Sequence, residues 1–193
     1  MKRICVFCGS STGIRKSYAD TATQLGEMIA GCRLALVYGG GNVGLMGIIA
    51  DAALRAGGEV IGIIPRGLAA KELAHQRLSE LRVVGSMHER KALMAELSDA
   101  FIAMPGGYGT FEEFCEILTW TQLGLQRKPC GLLNVEGYYD HLLKLFDHSV
   151  AEGFVKPAHR AMVLDDADPE TLLKRIVGYS VPLVDKWMES QES

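Results

Sequence analysis

The sequence predicts an α/β fold: a doubly wound parallel sheet with helices on both faces. Short, unbroken apolar runs recur along the 193 residues, and stretches with a period near 3.6 lie between them. Strands buried on both faces read as such runs, and strands that alternate with helices pair in parallel. The 22 glycines cluster where an apolar run gives way to a helical pattern, as strand-to-helix turns require.

The strand candidates in order are Arg3 to Cys8 (RICVFC), Arg33 to Tyr38 (RLALVY), Glu59 to Pro65 (EVIGIIP), Leu81 to Val84 (LRVV), Ala100 to Met104 (AFIAM), Pro129 to Val135 (PCGLLNV) and Ala161 to Leu164. Between them, Leu25, Met28 and Ile29, and later Leu142, Leu143, Phe146 and Val150, fall at helical spacing. The irregular stretch from Arg66 to Glu80 follows a proline and has the length of a lid or wall with a short helix in it. We expect one α/β domain over residues 1–180 and a polar tail over 181–193.

Composition narrows the function classes. A formal charge of −3 without basic blocks argues against nucleic acid as a partner. The apolar run after Met1-Lys2-Arg3 stops at Gly9, too short for a signal peptide, and no run reaches the ~18 residues a bilayer demands. No membrane association and a cytoplasmic location are the expectation. Five cysteines at irregular spacing suit a reducing compartment. Cys5 and Cys8 form a C-x-x-C, but three residues apart in a strand they point to opposite faces, so core thiols are expected. The five histidines lack ligand spacing, and no metal is expected.

Ligands in such sheets sit outside the carboxyl ends of the strands. Three glycine clusters fall there: Gly9-Ser10-Ser11-Thr12-Gly13, Gly39-Gly40-Gly41-Asn42-Val43-Gly44 and Gly106-Gly107-Tyr108-Gly109-Thr110. The second matches G-x-G-x-x-G, yet it follows the second strand and lacks the acid expected ~20 residues on. A dinucleotide site, with Arg66 serving a 2′-phosphate, and a tight packing turn are both open readings. The third cluster has no Lys-Ser or Lys-Thr and is not a nucleoside triphosphate loop. Its bare backbone ahead of a helix N-terminus suits a single phosphate.

Glu113 follows that loop. With Thr110 as N-cap it would complete a T-x-x-E capping box, worth roughly 1 kcal/mol, and beside a phosphate it could also serve acid/base chemistry. In GSMHERKALMAEL, Ser86 reads as N-cap with Glu89 at N3, yet Arg90 and Lys91 oppose the dipole near the same helix start. Cations placed so call for an anionic partner. Arg90 and Glu113 follow consecutive strands, and adjacency of those strands would bring them into one crevice.

MHERK at Met87 to Lys91 and PGGYGTFEE at Pro105 to Glu113 closely resemble the paired M-x-x-R-K and P-G-G-x-G-T-x-x-E motifs of the LONELY GUY family, the cytokinin riboside 5′-monophosphate phosphoribohydrolases. The resemblance runs from CVFCGSS through YGGGNVGLMG and LTWTQLG to about Val163, and departs at Glu89, where many relatives carry glutamine. It implies a Rossmann-like fold and hydrolysis of the N-glycosidic bond of an adenosine 5′-monophosphate, N6-substituted in many relatives, to free base and ribose 5-phosphate. Arg90 and Glu113 match the catalytic residues. The expected substrate-binding set is Glu72, Met87, Lys91, Gly106, Gly107, Tyr108, Gly109, Thr110 and Thr119, with Gly9, Ser10, Gly40 and Gly41 from the earlier clusters. No cofactor is expected.

The family is often labelled lysine decarboxylase, but no segment resembles a pyridoxal phosphate site. The helix from Phe111 to Leu123 is apolar on more than one face, and relatives form homodimers, so a homodimer or higher homo-oligomer is expected. Rival readings are a general purine nucleoside monophosphate nucleosidase and a non-catalytic nucleotide- or NADP-binding module.

Overall fold

The computed structural model describes residues 1–69 and 74–179. Among them seven strands form one sheet: β1 (Arg3–Phe7), β2 (Ala35–Tyr38), β3 (Val60–Pro65), β4 (Glu80–Val84), β5 (Ala100–Ala103), β6 (Cys130–Leu133) and β7 (Val163–Asp166). All pairs are parallel, in the order β4-β3-β2-β1-β5-β6-β7. Ile4 of β1 lies opposite Leu36 of β2 on one side and Ala100 of β5 on the other. The helices are α1 (Lys16–Gly31), α2 (Gly44–Arg55), α3 (Arg66–Ala69), α4 (Met87–Leu97), α5 (Tyr108–Gln122), α6 (Asp140–Ala151), α7 (Pro157–Arg160) and α8 (Pro169–Gly178).

Alternate residues of each central strand feed two cores, one on each face of the sheet. Ile4, Val6 and Leu36 pack with Leu25 and Ile29 of α1, Ile49 of α2 and Ile176 of α8. Cys5, Phe7, Val37 and Phe101 pack with Met94 of α4 and with Phe114 and Ile117 of α5. Cys8 belongs to the first core and Cys5 to the second, as period-two alternation requires.

The structure moves several boundaries. β2 starts at Ala35 because Arg33 closes α1 in the left-handed region, with φ 58° and its N–H donated to Ala30. β6 ends at Leu133 because Val135 enters a 3-10 turn, and β7 starts at Val163 because α7 occupies the residues before it. Of the Arg66 to Glu80 stretch, α3 and the approach to β4 are seen; residues 70–73, with Glu72, and the expected tail over 181–193 lie outside the described residues.

The chain works outward from β1 to the edge strand β4, then returns to the other side of β1 for β5. The topological switch point therefore falls between β1 and β5, where successive loops diverge and leave a crevice. Two main-chain bonds tie that crevice's floor: Met104 N–H to Phe7 O at 2.9 Å and Gly9 N–H to Pro105 O at 3.1 Å.

Candidate active site

The loop after β5 leads straight into α5, with Gly107 as N-cap in extended conformation and no side chain capping the helix among the described residues. Thr110 therefore lies in the first turn, at N3, and the capping box expected of Thr110 and Glu113 does not form. The chain enters the helix as soon as Pro105 and Gly106 have passed, three residues earlier than the T-x-x-E pattern implies. Glu113 is thus released from a capping role. Gly107, Tyr108, Gly109 and Thr110 of that helix start line the crevice, and the first-turn N–H groups of a helix have no partner within it.

The loop is held from behind by two tyrosines that the sequence reading passed over. Tyr138 Oη–H donates to Gly106 O at 2.5 Å, and Tyr139 Oη–H donates to Met104 O at 2.6 Å. Tyr139 is 1% exposed, and burial pushes its phenol well above the usual range, so it remains a donor.

Arg90 reaches the same crevice from the other direction. Ser86 caps α4 by accepting Glu89 N–H at 3.1 Å, and Glu89 Oε2 accepts Gly85 N–H at 2.7 Å, so the capping box closes one residue upstream of its usual partner. One turn on, Arg90 Nε donates to Ile63 O at 3.1 Å and Nη1 donates to Glu113 Oε1 at 2.6 Å. Both side chains are buried, each residue 8% exposed. The adjacency expected of their strands is overturned: β3, β2 and β1 stand between β4 and β5. The pair meets because α4, crossing back from the edge strand, lies over β3, β2 and β1.

Burial pushes the Glu113 carboxyl above its usual range, and the Arg90 guanidinium only partly offsets this. Lys91, 9% exposed, gives its ammonium to Glu112 and, at 3.1 Å, to Glu116 Oε1. Burial lowers its pKa, but those two carboxylates more than compensate, so the ammonium stays charged.

A cavity of about 280 Å³ joins these groups. Of the expected residues, Gly9, Ser10, Met87, Arg90, Gly107, Tyr108, Gly109, Thr110 and Glu113 line it. Gly106 lies under the loop, held through its carbonyl. Lys91 does not line the cavity but touches Glu112, which does. Thr119 is not brought in: it is exposed, donates to Cys115 O at 2.7 Å and borders a separate cavity with Gln122 and Phe146. Six residues beyond Glu113 it sits about 9 Å further along α5 and on another face.

Within GGGNVG, Gly40, Gly41 and Gly44 serve packing. Gly40 O accepts His75 N–H at 2.9 Å and Gly41 bridges Ala74, and neither lines the cavity. A Cβ on Gly44 would stand 2.3 Å from the Ser10 carbonyl carbon, and Leu45 N–H donates to Gly9 O at 3.0 Å. The start of α2 is therefore closed by the first loop, which favours the tight-turn reading over a dinucleotide site. Gly39, outside the expected set, lines the cavity, and a Cβ there would lie 2.0 Å from Arg90 Nη2. Met46 and Met94 also line the cavity unforeseen, since helical apolar residues carry no mark of which ones face a ligand.

A protein-family model described as "Possible lysine decarboxylase" matches residues 46–176. The Arabidopsis thaliana cytokinin riboside 5′-monophosphate phosphoribohydrolase LOG5 is 51% identical over 178 residues, 92% of this chain and 78% of that protein. A second one from Arabidopsis thaliana, LOG1, is 50% identical over 178 residues, covering 92% and 84% of the two chains. Among solved structures, a molybdenum cofactor binding protein from Rippkaea orientalis is similar with a TM-score of 0.68 and 26% identity, covering 92% of this chain and 98% of that one.

Proposed function

The chain belongs to the family of cytokinin riboside 5′-monophosphate phosphoribohydrolases, and from that membership we infer that it hydrolyses the N-glycosidic bond of a cytokinin riboside 5′-monophosphate. The products are the free base and ribose 5-phosphate. The family model's description names a decarboxylase, but pyridoxal chemistry needs a Schiff-base lysine, and among the described residues no lysine lines the cavity.

The observation that carries the residue roles is the buried Arg90–Glu113 pair beside the uncapped start of α5. The substrate's phosphate sits against the first-turn N–H groups of Tyr108, Gly109 and Thr110 and places the ribose toward Glu113. As the C1′–N9 bond breaks, its electron pair leaves with the purine and positive charge builds on the sugar. The Glu113 carboxylate stabilises that charge, takes a proton from the attacking water and supplies it to the departing base. Arg90 holds the carboxylate ionised and aimed, a role suited by its two-point attachment to Ile63 O and Glu113 and by the clearance over Gly39. Binding energy gained at the phosphate, remote from the reacting bond, orients the sugar against the water.

A homodimer completes the reading. Leu125, Leu145 and Phe154 are 72%, 56% and 84% exposed, and α6 has no fully buried residue, so an apolar face beside α5 and α6 lacks a cover within the described residues. The five free cysteines suit a cytoplasmic location, and no helix of the described residues is long and apolar enough to cross a membrane.

Incubation with AMP and with N6-isopentenyl AMP, followed by chromatography of free base, tests the function. Faster release from the prenylated nucleotide supports cytokinin activation. Equal release supports a general purine nucleoside monophosphate nucleosidase, and thermal stabilisation without release a binding module.

A further inference from the structure

A second cavity, of about 270 Å³, adjoins the catalytic one at the switch point. Its walls include Ser11 and Thr12 of the loop after β1, Tyr18 of α1, Leu45 of α2, Pro105 and Tyr138. Gly9, Ser10 and Gly107 line both cavities. The catalytic cavity is walled mainly by α4 and α5, with Met46 of α2, and the second one by Tyr18 of α1 and Leu45 of α2, with Tyr138. In open α/β sheets a switch-point crevice accepts the two halves of a ligand on either side, with the linking phosphate at a helix N-terminus. Gly107 is both the N-cap of α5 and part of the shared wall, so a phosphoryl group held there faces both cavities.

We propose that the second cavity is a subsite for a group esterified to the substrate's 5′-phosphate, so that the protein binds and hydrolyses 5′-phosphodiesters of the adenine nucleoside as well as the monoester. This rests on the reading of the α5 start as the phosphate site. The lining defines the class of that group. Among the described residues it carries no Lys, Arg, His, Asp or Glu, and instead offers two phenol rings and the hydroxyls of Ser10, Ser11 and Thr12. Tyr18 and Tyr138 meet edge to face at 5.8 Å, and the bond from Tyr138 to Gly106 O keeps that ring in place. An uncharged ring bearing hydrogen-bonding groups fits such walls, whereas a further phosphate would be desolvated without a cation. The chemistry is unchanged: C1′–N9 breaks, water adds at C1′, and the diester leaves intact on the ribose.

The phenyl and methyl phosphodiesters of AMP carry the same single charge and differ only in what the second cavity would receive. Their affinities are measured by calorimetry on Glu113→Gln protein and checked by competition against AMP turnover with the unaltered enzyme. The phenyl ester is expected to bind about fivefold tighter or more. Thr12→Trp, and separately Ser11→Trp, fill the cavity and bring the two esters to parity, with AMP affinity within about twofold of the parent. A phenyl ester that binds no tighter than the methyl ester, or a preference that survives both tryptophans, overturns the subsite. Failure of AMP turnover would sink the hydrolase reading instead, and the ester comparison would still decide this one.

Discussion

At the residue scale, the decisive feature is a carboxylate and a guanidinium in contact at 2.6 Å, both nearly excluded from water. Burial raises the Glu113 pKa, so the fold favours its protonated form. That contribution is fully present below the ordinary glutamate pKa and is lost as pH rises through the raised value, so the ionised carboxylate costs stability at neutral pH. Glu113→Gln is therefore expected to melt no lower than the parent at pH 7 while turnover falls by about 100-fold or more; a lower melting temperature with turnover retained would return Glu113 to a structural role. In the parent, kcat/KM should rise with pH along a one-proton limb lying above the range of an exposed glutamate. An acid limb at or below that range would mean Glu113 is not the group that must ionise. Arg90→Ala strands the buried carboxylate, and we expect a folded, inactive protein destabilised by about 3 kcal/mol.

At the scale of elements, two helix starts define the site. α4 begins under the Ser86 side-chain cap on Glu89 N–H, and Arg90, one residue on, donates its N–H to the Ser86 main-chain carbonyl at 3.1 Å. Ser86→Ala should cost about 1 kcal/mol, read as a drop in melting temperature of a few degrees, with a smaller fall in turnover. α5 begins without such a cap, and the glycine loop ahead of it is braced by Tyr138 and Tyr139 instead. Gly39, at the end of β2, lets Arg90 pass close over the backbone. Gly39→Ala should displace the guanidinium and lower kcat at least about 10-fold with the fold intact, since its backbone is not in the left-handed region. Wild-type kcat in that variant would show that the arginine needs no such clearance.

At the scale of the whole molecule, Leu145 of α6 and Phe154 just beyond it are exposed, while the crevice that holds Arg90 and Glu113 opens at the carboxyl edge of the sheet. Sedimentation at micromolar protein should give twice the 21.0 kDa chain mass or more. Leu145→Asp should shift it toward one chain mass, and a parent that sediments as a single chain would leave that face for some other partner.

The sequence by itself determined the layered α/β architecture, the Ser86 cap and the glycine loop that leads β5 into α5. Apolar runs, helical period and bare backbone ahead of a helix are local signals, readable within about ten residues. The family motifs also singled out Arg90 and Glu113. Only the tertiary structure decided how they meet, because strand order depends on long-range pairing that periodicity does not encode. It placed three strands between β4 and β5 and laid α4 across them. It also made Gly39 a clearance for Arg90, withdrew Gly40 and Gly41 into packing, and turned Thr119 away from the cavity. Each of those outcomes depends on which distant backbone lies within a few ångströms.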